Sequence, residues 1–142
     1  MSLIFRKECF LSLAIAGYLI AGTVSAKEQP TTQVETLLRS DASWDGVPYA
    51  SYPDGSPELS ILKITVPANQ ALPWHTHPMP NAAYILDGEI TVEKENGEKK
   101  LVSKGQVLAE MVGQRHRGYT GNTPVVLLVF YAGTKGMPLS QQ

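Results

Sequence analysis

The rhythm of apolar and polar positions changes at residue 58. From there to residue 132 the apolar residues come in short runs divided by glycine, proline, asparagine and aspartate, and no window keeps a helical period. The runs at 59–66 (LSILKITV), 71–77 (ALPWHTH), 81–86 (NAAYIL), 89–95 (EITVEKE), 99–103 (KKLVS), 106–112 (QVLAEMV), 115–120 (RHRGYT) and 125–132 (VVLLVFYA) read as strands. Asp87-Gly88 reads as a hairpin turn, and Asn96-Gly97 suits a tight two-residue loop with left-handed residues. The unbroken apolar run at 125–130 fits a strand covered on both faces. Short strands at this spacing predict an all-β fold, a small antiparallel sandwich or barrel.

Before residue 58 the pattern differs. Residues 34–39 read as a short first strand, and 40–57 as a long loop with turns at Asp45-Gly46 and Asp54-Gly55. Further upstream, Arg6 and Lys7 precede a mostly apolar stretch over 10–24, followed by Val24-Ser25-Ala26. That layout is a secretory signal peptide cleaved after Ala26, and the apolar stretch is short for a membrane span. The expected organisation is a signal at 1–26, an N-terminal strand and loop at 27–57, a β-barrel core at 58–134 and a C-terminal tail at 135–142. The expected location is periplasmic or secreted, with no membrane attachment once the signal is gone.

Composition narrows the function classes. The single cysteine, Cys9, falls inside the signal, so the fold uses no disulfide although an exported protein could. A net charge of −1 gives no basic stripe for a nucleic-acid partner. A small-molecule ligand or substrate is the expected partner. A second copy of the chain is a further one, because the strand at 34–39 could add to a sheet edge.

The chemistry centres on histidine. The chain has three, and two of them lie in LPWHTHP, residues 72–78. On an extended segment His75 and His77 point to one face and Thr76 to the other. His116 is the remaining one. A closed antiparallel barrel could bring it to the pair.

The spacing of these residues resembles the cupin family of small β-barrels. Its first motif, Gly-x5-His-x-His-x3-Glu-x6-Gly, falls on Asn69, His75, His77, Asn81 and Gly88. Its second, Gly-x5-Pro-x-Gly-x2-His-x3-Asn, falls on Gly105, Met111, Gly113, His116 and Thr120. The resemblance spans roughly residues 58–132 and implies a jelly-roll (double-stranded β-helix) fold. It also implies a divalent transition metal, iron, manganese, nickel or zinc, held by His75, His77 and His116.

The departures bear on the chemistry. Asn81 stands where metal-binding members carry a glutamate ligand. A neutral amide is a poor ligand, so Asn81 fits better beside the site, holding a histidine N–H or a substrate, than as the fourth ligand. Asn69 tolerates the left-handed geometry of the glycine it replaces. Three imidazoles alone can hold a metal and leave positions open, which suits a dioxygenase or related enzyme of small carboxylates, diketones or hydroxy acids. The competing function is a non-catalytic small-molecule-binding cupin with weak metal binding or none. Glu110 interrupts an apolar strand and is the one acidic candidate for an acid, base or extra ligand, if it faces inward rather than outward. Trp74, Tyr84, Met111, Tyr119 and Tyr131 are assigned to packing, and Arg115 and Arg117 to the surface.

Overall fold

In the computed structural model, Gln29 and residues 31–142 are described. The signal segment 1–26 and its cleavage after Ala26 lie outside the described residues. Seven strands follow the long N-terminal loop: β1 (Pro57–Val66), β2 (Asn81–Asp87), β3 (Glu89–Lys94), β4 (Lys99–Ser103), β5 (Val107–Ala109), β6 (His116–Tyr119) and β7 (Val125–Thr134). All pairings are antiparallel and the described residues contain no helix.

The ladders form two sheets, one of order β1-β7-β2-β5 and one of order β4-β3-β6. The fold is thus all-β as expected, in two facing sheets rather than one closed ring of hydrogen bonds. Inward side chains of both sheets, among them Ile85, Leu108, Val125, Leu127 and Val129 from the first and Ile90, Val92 and Val102 from the second, make one core. The period-2 burial of β7, in which Val125, Leu127, Val129 and Tyr131 are buried between more exposed neighbours, shows why the sequence folds this way.

Several local expectations change. Residues 34–39 form no ladder, and Val34, Leu37 and Leu38 are exposed. Asp87-Gly88 is not a hairpin turn: β2 and β3 belong to different sheets, and the chain crosses between them there. Gly88 is required at that crossing, because its φ is 75° and a Cβ would run into the Pro124 carbonyl oxygen. The Asn96-Gly97 loop is three residues long, with Gly97 alone left-handed; its N–H bonds the Lys94 carbonyl while the Lys94 N–H bonds Glu98.

The segment 71–77 is not a regular strand. It lies along β6 through isolated bridges Ala71–Tyr119 and His75–His116. Pro73 has no N–H to give, so the ladder is interrupted. The run 125–130 is not covered on both faces either, since Phe130 is exposed and lies opposite the exposed Ile61 of β1.

The long loop packs on the free edge of β5. Trp44 N–H bonds the Ala109 carbonyl, and Tyr49 Oη donates to the Glu110 carbonyl at 2.7 Å. Lys94 holds the loop to β3 through Asp45 at 2.7 Å. No residue of 40–57 lines the central cavity, so the loop does not plug it. The C-terminal tail is tied down as well: Thr76 and Gln141 exchange both backbone hydrogen bonds.

Candidate metal centre

Position in the fold brings the three histidines together. The bridge between residues 75 and 116 sets two of them side by side, and the alternation of the extended segment sets His77 beside His75. Ring centroids lie 4.8 Å apart for His75–His77, 4.5 Å for His75–His116 and 5.1 Å for His77–His116. Their ligand nitrogens all fall within 4.8 Å of one another. Opposed ligands at about 2.1 Å from an ion span about 4.2 Å, so the rings close on one ion with side-chain shifts of a fraction of an ångström.

Each ring is also oriented. Nδ1 of His75 meets the Pro73 carbonyl at 2.9 Å, Nδ1 of His77 the Leu139 carbonyl at 2.7 Å, and Nδ1 of His116 the Gln114 carbonyl at 2.9 Å. A carbonyl only accepts, so in each ring Nδ1 carries the hydrogen and Nε2 of the neutral imidazole offers its lone pair. Backbone carbonyls holding the far nitrogen are the usual support of metal-binding histidines.

The rings line a cavity of about 60 Å3. Its wall is otherwise apolar, with Ile64, Leu72, Ile85, Ile90, Leu108 and Val129 among its residues, and carries Glu110 and Tyr131 as further polar groups. Burial pushes the pKa of His75 and of His77 down, against the carbonyl bonds that favour the charged form. Burial works the same way on His116, but the Glu110 carboxylate outweighs it and the net direction is up. Burial, helped by Glu110, pushes Tyr131 up to about 12, so its phenol keeps its proton.

Glu110 faces inward. It is 9% exposed, and Oε2 lies 3.4 Å from His116 Nε2. Both atoms are buried with no hydrogen-bond partner. Asn81 is also inward and buried; its amide donates to the Met79 carbonyl at 3.2 Å, and its Oδ1 has no partner. Glu110 lines the cavity and Asn81 does not.

The other motif positions are structural. Asn69 has φ 56°, the left-handed geometry of the glycine it replaces. Thr120 Oγ1 donates to the Pro67 carbonyl at 2.6 Å and accepts from Gln70 N–H, which fixes the turn that carries Asn69. Met111 is fully buried. Arg117 turns away from the cavity, stacking on Trp74 at 4.7 Å and bonding Glu93; Arg115 pairs with Glu95.

Two participants escape the motif spacing. Tyr131 reads as packing, yet it lines the cavity, with its ring 5.7 Å from that of His77. Its parity with Val125, Leu127 and Val129 in β7 was the available signal. The tail at 135–142 carried none: that Leu139 supplies the carbonyl for His77 depends on a backbone atom.

A family model for the cupin domain matches residues 62–131. No curated protein sequence matches the chain significantly. Among solved structures it is similar to the DMSP lyase DddQ from Ruegeria pomeroyi DSS-3, with 26% identity over 66% of this chain and 45% of that one and a TM-score of 0.52. The polyketide cyclase RemF from Streptomyces resistomycificus is similar at 20% identity over 62% of this chain and 61% of that one, with a TM-score of 0.52. A cupin-like protein from Thermotoga maritima MSB8 shares 11% identity over 58% and 62%, with a TM-score of 0.51. The chain spans less than half of the DMSP lyase and about three fifths of the other two. The three-histidine cluster, the two antiparallel sheets and the family match agree: residues 62–131 of this chain form a domain of the cupin family.

Proposed function

We propose that this is an exported metal-dependent cupin acting on a small oxygen-bearing molecule. His75, His77 and His116 would hold one divalent first-row transition metal. The observation that carries this is the common orientation of the rings: three Nδ1–H groups are given to backbone carbonyls, which leaves three Nε2 lone pairs for one ion. Soft and borderline divalent metals suit imidazole, and three such ligands leave open positions. The bound metal would supply Lewis acidity toward a chelating carboxylate, diketone or hydroxy acid, and redox chemistry with dioxygen when it is iron.

The chain's own groups define what enters. A cavity of about 60 Å3 takes only a few non-hydrogen atoms, since one water occupies about 10–15 Å3 on this measure. Tyr131, held protonated by its high pKa, can donate a hydrogen bond to a substrate oxygen but does not serve as a base. The likeness to a DMSP lyase supports a small organic substrate. Export rests on the basic-then-apolar N-terminus, and N-terminal sequencing of the mature protein tests it.

Metal analysis tests the central reading. The protein purified without chelators or a histidine tag should carry near-stoichiometric metal by mass spectrometry, and a His75→Ala/His77→Ala variant should carry none. A protein that stays empty after exposure to iron, manganese, nickel and zinc overturns it.

A homodimer belongs to the same proposal, supported by a different surface than the segment 34–39. The outer face of β1 and β7 leaves Leu59, Ile61 and Phe130 exposed, with Leu59 opposite Ala132 and Ile61 opposite Phe130. Gel filtration of Ile61→Lys beside the unaltered protein tests it; identical monomeric elution of the two removes the dimer.

A further inference from the structure

Resting on that metal-centre reading, we infer that Glu110 supplies the carboxylate ligand that Asn81 lacks, moved across one strand pair. Residues 81 and 110 are opposed: Ala82 pairs with Ala109 and Ala83 with Leu108, and the next step of the ladder is the hydrogen bond from Glu110 N–H to the Asn81 carbonyl at 3.0 Å. Directly opposed residues of an antiparallel pair project to the same face with Cβ atoms about 5 Å apart. That face is inward, because Ala83 and Leu108, two positions on, are both buried on the cavity wall. A carboxylate leaving position 81 for position 110 therefore stays on the same wall.

The geometry at Glu110 calls for positive charge between it and His116, a proton or a metal ion. With His116 neutral, its Nδ1–H goes to Gln114 and its Nε2 is an acceptor that looks at Glu110 Oε2, another acceptor, at 3.4 Å. Neither atom has a hydrogen-bond partner and both are shielded from water. Two buried acceptors face to face repel unless positive charge lies between or beside them. Two ligands about 2.1 Å from a tetrahedral metal lie about 3.4 Å apart, which is the separation found. The carboxylate also corrects the charge. Three imidazoles leave a divalent ion at +2 in an apolar wall, and one carboxylate halves that.

Asn81 does not compete for the role. Its Nδ2 is committed to Met79, and the side chain does not line the cavity. Glu110 is held in place from behind: its own carbonyl accepts the Tyr49 hydroxyl, and its N–H is given to Asn81. The loop 40–57 thereby fixes the backbone of the ligand from outside the sheet.

The test uses cobalt(II), whose visible absorption reports its ligands. The purified protein and Glu110→Gln, which keeps shape and removes charge, are titrated with cobalt(II) and their melting followed. Losing a group that only supports a ligand costs about 10–100-fold in affinity, so losing a ligand should cost at least about 100-fold and move the visible bands. Equal affinity and unchanged bands in a folded Glu110→Gln overturn the inference. Should that variant not fold, infrared difference spectra of the unaltered protein on loading one equivalent of zinc decide: a shifted carboxylate stretch supports Glu110, and an unchanged carboxylate region overturns it. Failure of the unaltered protein to bind cobalt(II) is a different result, which overturns the metal centre itself and this inference with it.

Discussion

His75 and His116 exchange both of their backbone hydrogen bonds, each N–H to the other's carbonyl at 2.9 Å. The two residues lie far apart in sequence, one before β2 and one opening β6, yet their Cα positions are locked as in a strand pair. Their rings are locked in the same way, each by the carbonyl two residues upstream. Main-chain pairing thus fixes two of the three histidines of the candidate metal centre in place.

That pairing separates two roles in mutants. His116 is 1% exposed and His75 only half-buried. His116→Ala opens a cavity at a fully buried position, which should cost roughly 2–3 kcal/mol. His75→Ala should cost less than about 1 kcal/mol. Both should abolish metal loading. Denaturation of the metal-free proteins beside metal analysis checks this, and equal destabilisation would mean that the two rings have equivalent surroundings.

Much of this arrangement could be read from the residues. The His-x-His alternation and the spacing to His116 identified the cluster, and the short apolar runs divided by turn residues in 58–132 identified the strands. Direction was harder. Glu110 has apolar neighbours on both sides in its strand, so parity alone could not say which face it takes; the answer lies in its pairing with Asn81. Pairing also decided Asp87-Gly88, where the turn chemistry of a hairpin serves a crossing between sheets. Pro73 turned the strand expected at 71–77 into isolated bridges, and without a partner the apolar residues of 34–39 stay exposed.

Asn81→Glu should tighten metal binding and weaken the metal-free protein. It would place a second carboxylate opposite Glu110 on one buried wall, a like-charge pair at cross-strand distance. A divalent ion relieves the repulsion. The melting temperature of the metal-free variant should fall by at least about 4 °C for each 1 kcal/mol of repulsion, and the rise on adding metal should exceed that of the unaltered protein. Thermal melts with and without zinc measure both. A variant that folds and shows the same rise on zinc as the unaltered protein would mean that position 81 is blind to the site.

Asp45 makes the long loop acid-sensitive. Burial opposes its ionisation, but hydrogen bonds from Lys94 and Ser43 overcome this and hold its pKa below the ordinary 3.8. A carboxylate depressed by folding contributes stability above its unfolded value, and that contribution is lost as pH falls through the folded one. Asp45→Asn should therefore be less stable near neutral pH, with the difference shrinking as pH drops below about 3.8. Denaturation at several pH values reads it directly; a difference that stays constant down the series would show that Asp45 acts through packing alone.

Tyr131→Phe should keep its metal and lose affinity for small oxygen ligands. The residue is buried on the cavity wall with its ring beside that of His77, and with a pKa pushed up to about 12 its hydroxyl keeps its proton at every working pH. Removing one neutral hydrogen bond to a bound ligand costs about 0.5–1.5 kcal/mol, a several-fold weakening. Competition of small carboxylates with the visible spectrum of the cobalt protein measures it. Undiminished carboxylate binding would place the ligand away from β7.

The C-terminal tail should control metal affinity without touching the metal. His77 Nδ1 donates to the Leu139 carbonyl, and two residues further on Gln141 pairs with Thr76, the residue between the two histidines. Met137 and Leu139 pack on the core, which holds that carbonyl in place. A chain ending at Lys135 frees His77 Nδ1, so the ring loses both its tautomer preference and its orientation. Supporting contacts of this kind are worth about 10–100-fold in metal affinity. The ladders of both sheets end at Thr134 and stay intact in the truncated chain, so it should fold with only a modest loss of stability. Calorimetric titration with zinc should show the weaker binding, while His116, bonded to Gln114, should keep its nitrogen assignment in histidine NMR spectra. Unchanged zinc affinity in a folded truncation would mean that Thr76 and the core alone orient His77.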